Sequence, residues 1–96
     1  MKKKTHELKT WINYFQAVKL GLKTFEVRKY DRYFGVGDTL HLREWNHDEG
    51  VYTGRELTVP ICYLFVGGKF GVEEGYCVLG FRTERIISFQ AEQEES

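Results

Sequence analysis

The chain is 96 residues long and formally neutral, with 14 basic and 14 acidic residues, 42% hydrophobic residues and 16% aromatic ones. That length fits one domain with a modest core and excludes two large ones; no apolar heptad supports a coiled coil, and nothing approaches the ~18 consecutive apolar residues of a membrane helix. Neutrality hides an asymmetry: residues 1–48 hold seven Lys and three Arg against three Asp and three Glu, net +4, while residues 49–96 hold one Lys and three Arg against eight Glu, net −4.

The opening Met1 to Glu7 has no apolar stretch behind its lysines, so no secretory signal is expected and the chain reads as cytoplasmic. Residues 5–9 read as a short strand. Trp11, Tyr14, Phe15 and Val18 then fall at i, i+3, i+4 and i+7, the stripe of an amphipathic helix over 11–20. Thr10 is the expected N-cap, and Gly21 suits the left-handed position that ends a helix.

Strands and turns follow. Over 23–29, Phe25 and Val27 share one face and are expected inward, which leaves Glu26 and Arg28 together on the other. Val36 to Asp38 reads as a turn into a strand over 39–45, and Asn46 to Gly54 as a polar connection hinged at Gly50 and Gly54. Arg55 to Val66 is the longest strand, with Leu57, Val59, Ile61, Tyr63 and Phe65 on one face; Pro60 inside it points to an edge or a bulge. A loop over 67–75 precedes strands at about 76–82 and 85–90. Cys62 and Cys77 lie in apolar runs and are expected as buried, reduced thiols.

One helix and five or six short strands make a small α+β barrel the expected fold. Connections between successive strands are too short for parallel crossovers, and closure would remove the exposed edges of so small a sheet. A single domain is expected over 1–90, followed by a disordered acidic tail over 91–96.

Lys23, Glu26 and Arg28 are the strongest candidates for chemistry, because they combine a cation for phosphate, a carboxylate for an amine or base edge, and a guanidinium fork. A solvated Glu–Arg pair is the alternative. Cations and rings then interleave through Arg28, Lys29, Tyr30, Asp31, Arg32, Tyr33 and Phe34, the mixture on which unpaired bases stack; anchoring of the loop to the core by Tyr33 and Phe34 is equally compatible. His6, His41 and His47 fall in no metal-ligand spacing, so no metal is expected. Gly67 to Gly71 lacks the spacing of a phosphate loop, and no cofactor motif is present.

The string Gly21-x-Lys23-x-x-Glu26-x-Arg28, with Val36-Gly37-Asp38-x-Leu40 and Glu44-Trp45, resembles the ASCH domains of the PUA-like superfamily. His6 to Lys9, Arg43 to Trp45, Tyr52 to Glu56 and Gly75 to Phe81 resemble more narrowly their DUF3850 branch, short bacterial and phage proteins, over about residues 5–82. The resemblance implies a β-barrel with a helix near one end and, between them, a cleft lined by the Lys23–Arg28 strand that takes RNA or a modified nucleoside. Some ASCH relatives are thought to hydrolyse acylated cytidine with a Lys, a Thr three residues later and a distant Glu; Lys23 matches the first, but Glu26 stands where the threonine would be. The expected function is therefore an RNA- or nucleotide-binding module. Lys23, Arg28, Lys29 and Arg32 would contact phosphate, Glu26 would accept from an amine or ribose hydroxyl, and Tyr14, Tyr30 or Tyr33 would stack on a base. The alternative is a small hydrolase with Lys23 and Glu26 in the active site and Glu26 or His6 as general base.

Overall fold

A computed structural model describes residues 2–90, so the expected acidic tail lies outside the described residues. The elements run β1 (Thr5–Trp11), α1 (Ile12–Lys19), β2 (Phe25–Lys29), β3 (Thr39–Asn46), β4 (Val51–Val66), β5 (Tyr76–Phe81) and β6 (Ile87–Gln90), with one 3₁₀ turn at Thr83–Arg85. The strands form one mixed sheet in the order β1-β3-β4-β5-β2, and β6 pairs with β4 beside the main path. The fold is thus a small α+β unit whose sheet is open. β1 and β2 end the path, with no ladder between them.

β1 lies parallel to β3, its neighbour in the sheet but not its successor in the chain. The connection between them is long enough because it carries α1 and β2 on the way. Alternation along β1 buries His6, Leu8 and Thr10 and exposes Glu7, Lys9 and Trp11. Register then sets Leu8 beside Leu42 and Leu42 opposite Leu57, and with Phe15, Leu40, Val59 and Leu79 these fully or nearly fully buried side chains fill the core.

The helix is shorter than its stripe. It starts at Ile12 with Trp11 as N-cap and without a side-chain capping bond; Thr10 is still in β1, where its hydroxyl donates to the Leu8 carbonyl at 3.3 Å. Only Phe15 and Val18 of the expected stripe are buried, whereas Trp11 and Tyr14 stay exposed. Gly21 takes φ +77° and its N–H reaches the Val18 carbonyl at 2.9 Å, which ends the helix as its lack of a Cβ allows.

Two bulges reshape β4. Register slips between Arg43 and Trp45 opposite the segment around Gly54, whose φ is +95°; Gly54 is a bulge inside β4 rather than a hinge between strands. Register slips again between Ile61 and Tyr63, so the extra residue Cys62 is exposed, correcting its expected burial. The slip also inverts the face beyond it. Leu57, Val59 and Ile61 point inward, but Tyr63 is exposed and Leu64 packs on the core instead. Pro60 sits just before this bulge, where β4 passes from pairing β3 to pairing β5, in keeping with proline's missing donor.

β2 also faces opposite to expectation. Phe25 and Val27 are exposed and Glu26 is buried. Pairing with β5 decides the matter, because Glu26 stands beside Leu79 and Arg28 beside Cys77, both fully buried. Residues in register on neighbouring strands share a face, so Glu26 and Arg28 are carried to the inner side.

Candidate functional site: a cleft at the open seam of the sheet

The two ends of the sheet approach each other and are bridged by a side chain. Arg28 on β2 donates from Nη2 to the Lys9 carbonyl of β1 at 3.0 Å and to Thr10 Oγ1 at 3.3 Å. Beside this bridge opens a cleft of about 490 Å³. Lys9, Thr10 and Trp11 of β1 and Tyr14 of α1 form one wall; Lys23, Glu26, Val27 and Arg28 form the other.

Glu26 lies at its base with 5% of its surface exposed. One carboxylate oxygen, Oε2, accepts from Lys23 Nζ at 2.8 Å. The other, Oε1, is buried without a hydrogen-bond partner and is 3.7 Å from Arg28 Nη2, within ion-pair reach but not bonded. A buried acceptor is normally paired, and leaving one free costs about 1–3 kcal/mol or more. The two cations compensate the charge, yet a directional donor is still missing at Oε1. Rings shape the upper part: Trp11 and Tyr14 stack with centroids 6.3 Å apart, and Lys23 Nζ lies 5.5 Å from the Tyr14 ring centre.

Of the residues singled out in the sequence, Lys23, Glu26, Arg28 and Tyr14 converge here. Tyr30, Arg32 and Tyr33 gather instead around a separate concavity of about 310 Å³ with Asp31. There Arg32 pairs with Asp31 at 3.4 Å and Tyr33 is 84% exposed, so Phe34, with the half-buried Tyr30 packed beside it, anchors that loop to the core. Lys29 is exposed at the end of β2. His6 lines neither concavity: it is buried, meets Phe34 edge-on at 4.7 Å and bonds Asp38 at 2.9 Å. Burial works to raise the Asp38 carboxyl, but bonds from His6 and from the backbone N–H groups of Lys4 and Gly35 outweigh it and hold it below its usual value. Lys9, Thr10 and Trp11 escaped the sequence reading, because nothing local to β1 announces that its edge will face β2.

Glu44 is another buried carboxylate outside this cleft. The bulge at Gly54 brings Thr53 and Arg55 onto Glu44, which accepts from Thr53 Oγ1 at 2.6 Å and from Arg55 at 3.0 and 2.7 Å. Arg55 also donates to Gln16 of α1 at 2.8 Å. Burial favours a raised Glu44 carboxyl, but the Arg55 and Thr53 bonds prevail and lower it. Fully partnered, this group ties helix to sheet and offers no open valence. Among the described residues no three His, Cys, Asp or Glu side chains are grouped to hold a metal ion, and no helix is long and apolar enough to cross a membrane.

Comparison with known proteins agrees with the chain's own pattern. A relative from Escherichia phage P2, described as an uncharacterized 12.9 kDa protein in the GpA 3′ region, is 46% identical over 61 residues, covering 64% of this chain and 54% of the relative. The matched segment thus spans about half the length of that protein. The model of the domain of unknown function DUF3850 matches residues 5–81, which include every strand from β1 to β5 and the whole cleft. The chain belongs to the DUF3850 family.

Proposed function

We propose that the cleft at the β1–β2 seam binds a nucleotide or a nucleotide of a short single-stranded RNA. The observation that carries this reading is Glu26 Oε1, a buried carboxylate oxygen with no partner in the wall of a cleft. An exocyclic amine or a ribose hydroxyl supplies the missing donor. Lys9, Lys23 and Arg28 supply cations for a phosphate, which fix position without reading sequence, and Trp11 and Tyr14 offer ring surface to a base. The cleft lining carries Lys9, Lys23 and Arg28 against Glu26, net +2. That modest charge suits a nucleotide-sized ligand rather than a long duplex with its many phosphate contacts. The ASCH resemblance supports the same reading, with the open sheet as a PUA-like barrel parted at this seam, acting in the cytoplasm.

Titration with the four ribonucleoside monophosphates and short RNAs at two salt concentrations tests it. Binding that weakens with salt and drops at least tenfold in the Lys23→Ala, Arg28→Ala double variant is expected. Absence of binding, or binding indifferent to that pair, rejects the reading.

The free Glu26 oxygen also favours a hydrolytic alternative, in which Glu26 acts as general base and Lys23 stabilises developing charge. Thr24 is exposed and outside the cleft lining, so it offers no nucleophile there. This alternative requires turnover of an acylated nucleoside or an RNA, abolished in Glu26→Gln while binding persists.

A further inference from the structure

The outer face of β1, β3 and β4 carries rings and cations that the core does not use. In register across the strands, Trp11 stands beside Trp45 and Trp45 beside Tyr52, while Lys9 stands beside Arg43. Lys9 Nζ is 3.8 Å from the centre of the Trp45 ring and the Arg43 guanidinium 3.8 Å from that of Tyr52; the Trp45 and Tyr52 rings meet edge to face at 4.8 Å. Trp11 and Tyr52 are 44% and 39% exposed, and one face of Trp11 is covered by the His47 ring, stacked with centroids 3.9 Å apart. Aromatic surface kept in water at this density marks an interaction face.

Two observations select the partner. The first is continuity: Lys9 and Trp11 belong both to this face and to the cleft, so a polymer leaving the cleft passes directly onto it. The second is composition. Rings here alternate with cations, Lys9 over Trp45 and Arg43 over Tyr52. Arg43 is tied by Glu7 at 2.8 Å and by Glu56 at 3.5 Å. It is therefore a fixed plane over Tyr52, of the kind on which an unpaired base stacks. Among the described residues Lys9 makes no salt bridge, which leaves its ammonium for a phosphate.

We propose that this face extends the cleft into a site for a single-stranded nucleic acid. One nucleotide occupies the cleft, the base that follows stacks over the Arg43–Tyr52 layer beside Trp45, and Lys9 holds an intervening phosphate. The inference rests on the nucleotide reading of the cleft and adds the surface that holds the strand beyond the nucleotide in the cleft.

The chain has two tryptophans, Trp11 and Trp45, and both lie on this face, so their fluorescence reports its occupancy. Calorimetry on the unmodified protein compares the mixed ribonucleoside monophosphates with a random-sequence RNA pentamer, and the Trp11→Phe variant isolates Trp45 as reporter. The pentamer is expected to bind at least tenfold tighter than the monophosphates and to quench Trp45, which the monophosphates leave unquenched. Tyr52→Ala removes that advantage without changing monophosphate affinity; Tyr52→Phe retains it and controls for folding. A pentamer that binds no tighter than monophosphates, or that leaves Trp45 unquenched, overturns the extension while the cleft reading stands. Failure of both ligands to bind overturns both.

Discussion

Arg28 Nη2, on one end of the open sheet, donates to the backbone carbonyl of Lys9 on the other end at 3.0 Å. A single guanidinium thus spans the seam that a ladder would otherwise close, and it stands 3.7 Å from the unpartnered oxygen of Glu26. Fold and site share this residue. Arg28→Ala should lower unfolding free energy by about 1–2 kcal/mol, since two charge-assisted bonds are lost from a partly exposed side chain. Arg28→Lys should recover only part of that, because an ammonium cannot reproduce the fork. Urea unfolding of the three proteins checks both statements.

Glu44 and Arg55 define a second, purely structural prediction. With 3% of its surface exposed, Glu44 depends on Arg55 and Thr53 for compensation. Arg55→Ala leaves a buried carboxylate with one hydroxyl partner and should cost about 3 kcal/mol. The double variant Glu44→Gln, Arg55→Met removes the stranded charge and should recover part of the loss. Thermal melts of the single and double variants decide it, and a double variant no better than the single one would show that packing, not charge, dominates.

Acid should unfold the protein through Asp38 and Glu44. Both carboxyls are held below their ordinary values in the folded state, so between folded and unfolded values the unfolded chain binds more protons. Their contribution is complete above the unfolded carboxylate range, about pH 4, and is lost as pH falls through the lower folded values. Stability measured in urea should therefore change little from pH 5 to 7 on their account and fall steeply below about pH 4. Asp38→Asn, which still fills the site but accepts fewer bonds, should flatten that fall.

The two thiols should separate sharply. Cys62 is exposed in its bulge and Cys77 is buried, with burial first and the Asp31 charge second pushing the Cys77 thiol up. A maleimide added to the folded protein should modify Cys62 within minutes and reach Cys77 only in denaturant, since the thiolate is the reacting species. Intact-mass spectrometry counts the adducts.

Much of this architecture was legible in periodicity. Leu40 and Leu42, Leu57 and Val59, and the glycine-ended helix all lie where alternation and punctuation place them. Errors arose where a neighbouring strand, not the local pattern, chose the face. β2 reads as Phe25 and Val27 inward, but pairing with Leu79 and Cys77 turns Glu26 and Arg28 inside. The slip at Cys62 likewise inverts Tyr63 and Leu64, and one extra residue in a strand leaves no mark on composition. Lys23, Glu26 and Arg28 were visible as a cluster because they lie close in sequence. Their partners Lys9, Thr10 and Trp11 were not, because the seam joins the two strands most distant in the sheet order.

The most direct test of the nucleotide cleft is to follow backbone amide resonances of the ¹⁵N-labelled protein during titration with the four ribonucleoside monophosphates. Shifts concentrated in residues 9–14 and 23–28, and abolished together with binding by Lys23→Ala combined with Arg28→Ala, are predicted. Shifts confined to the Tyr30–Tyr33 concavity, or a spectrum unchanged at millimolar ligand, would contradict the assignment.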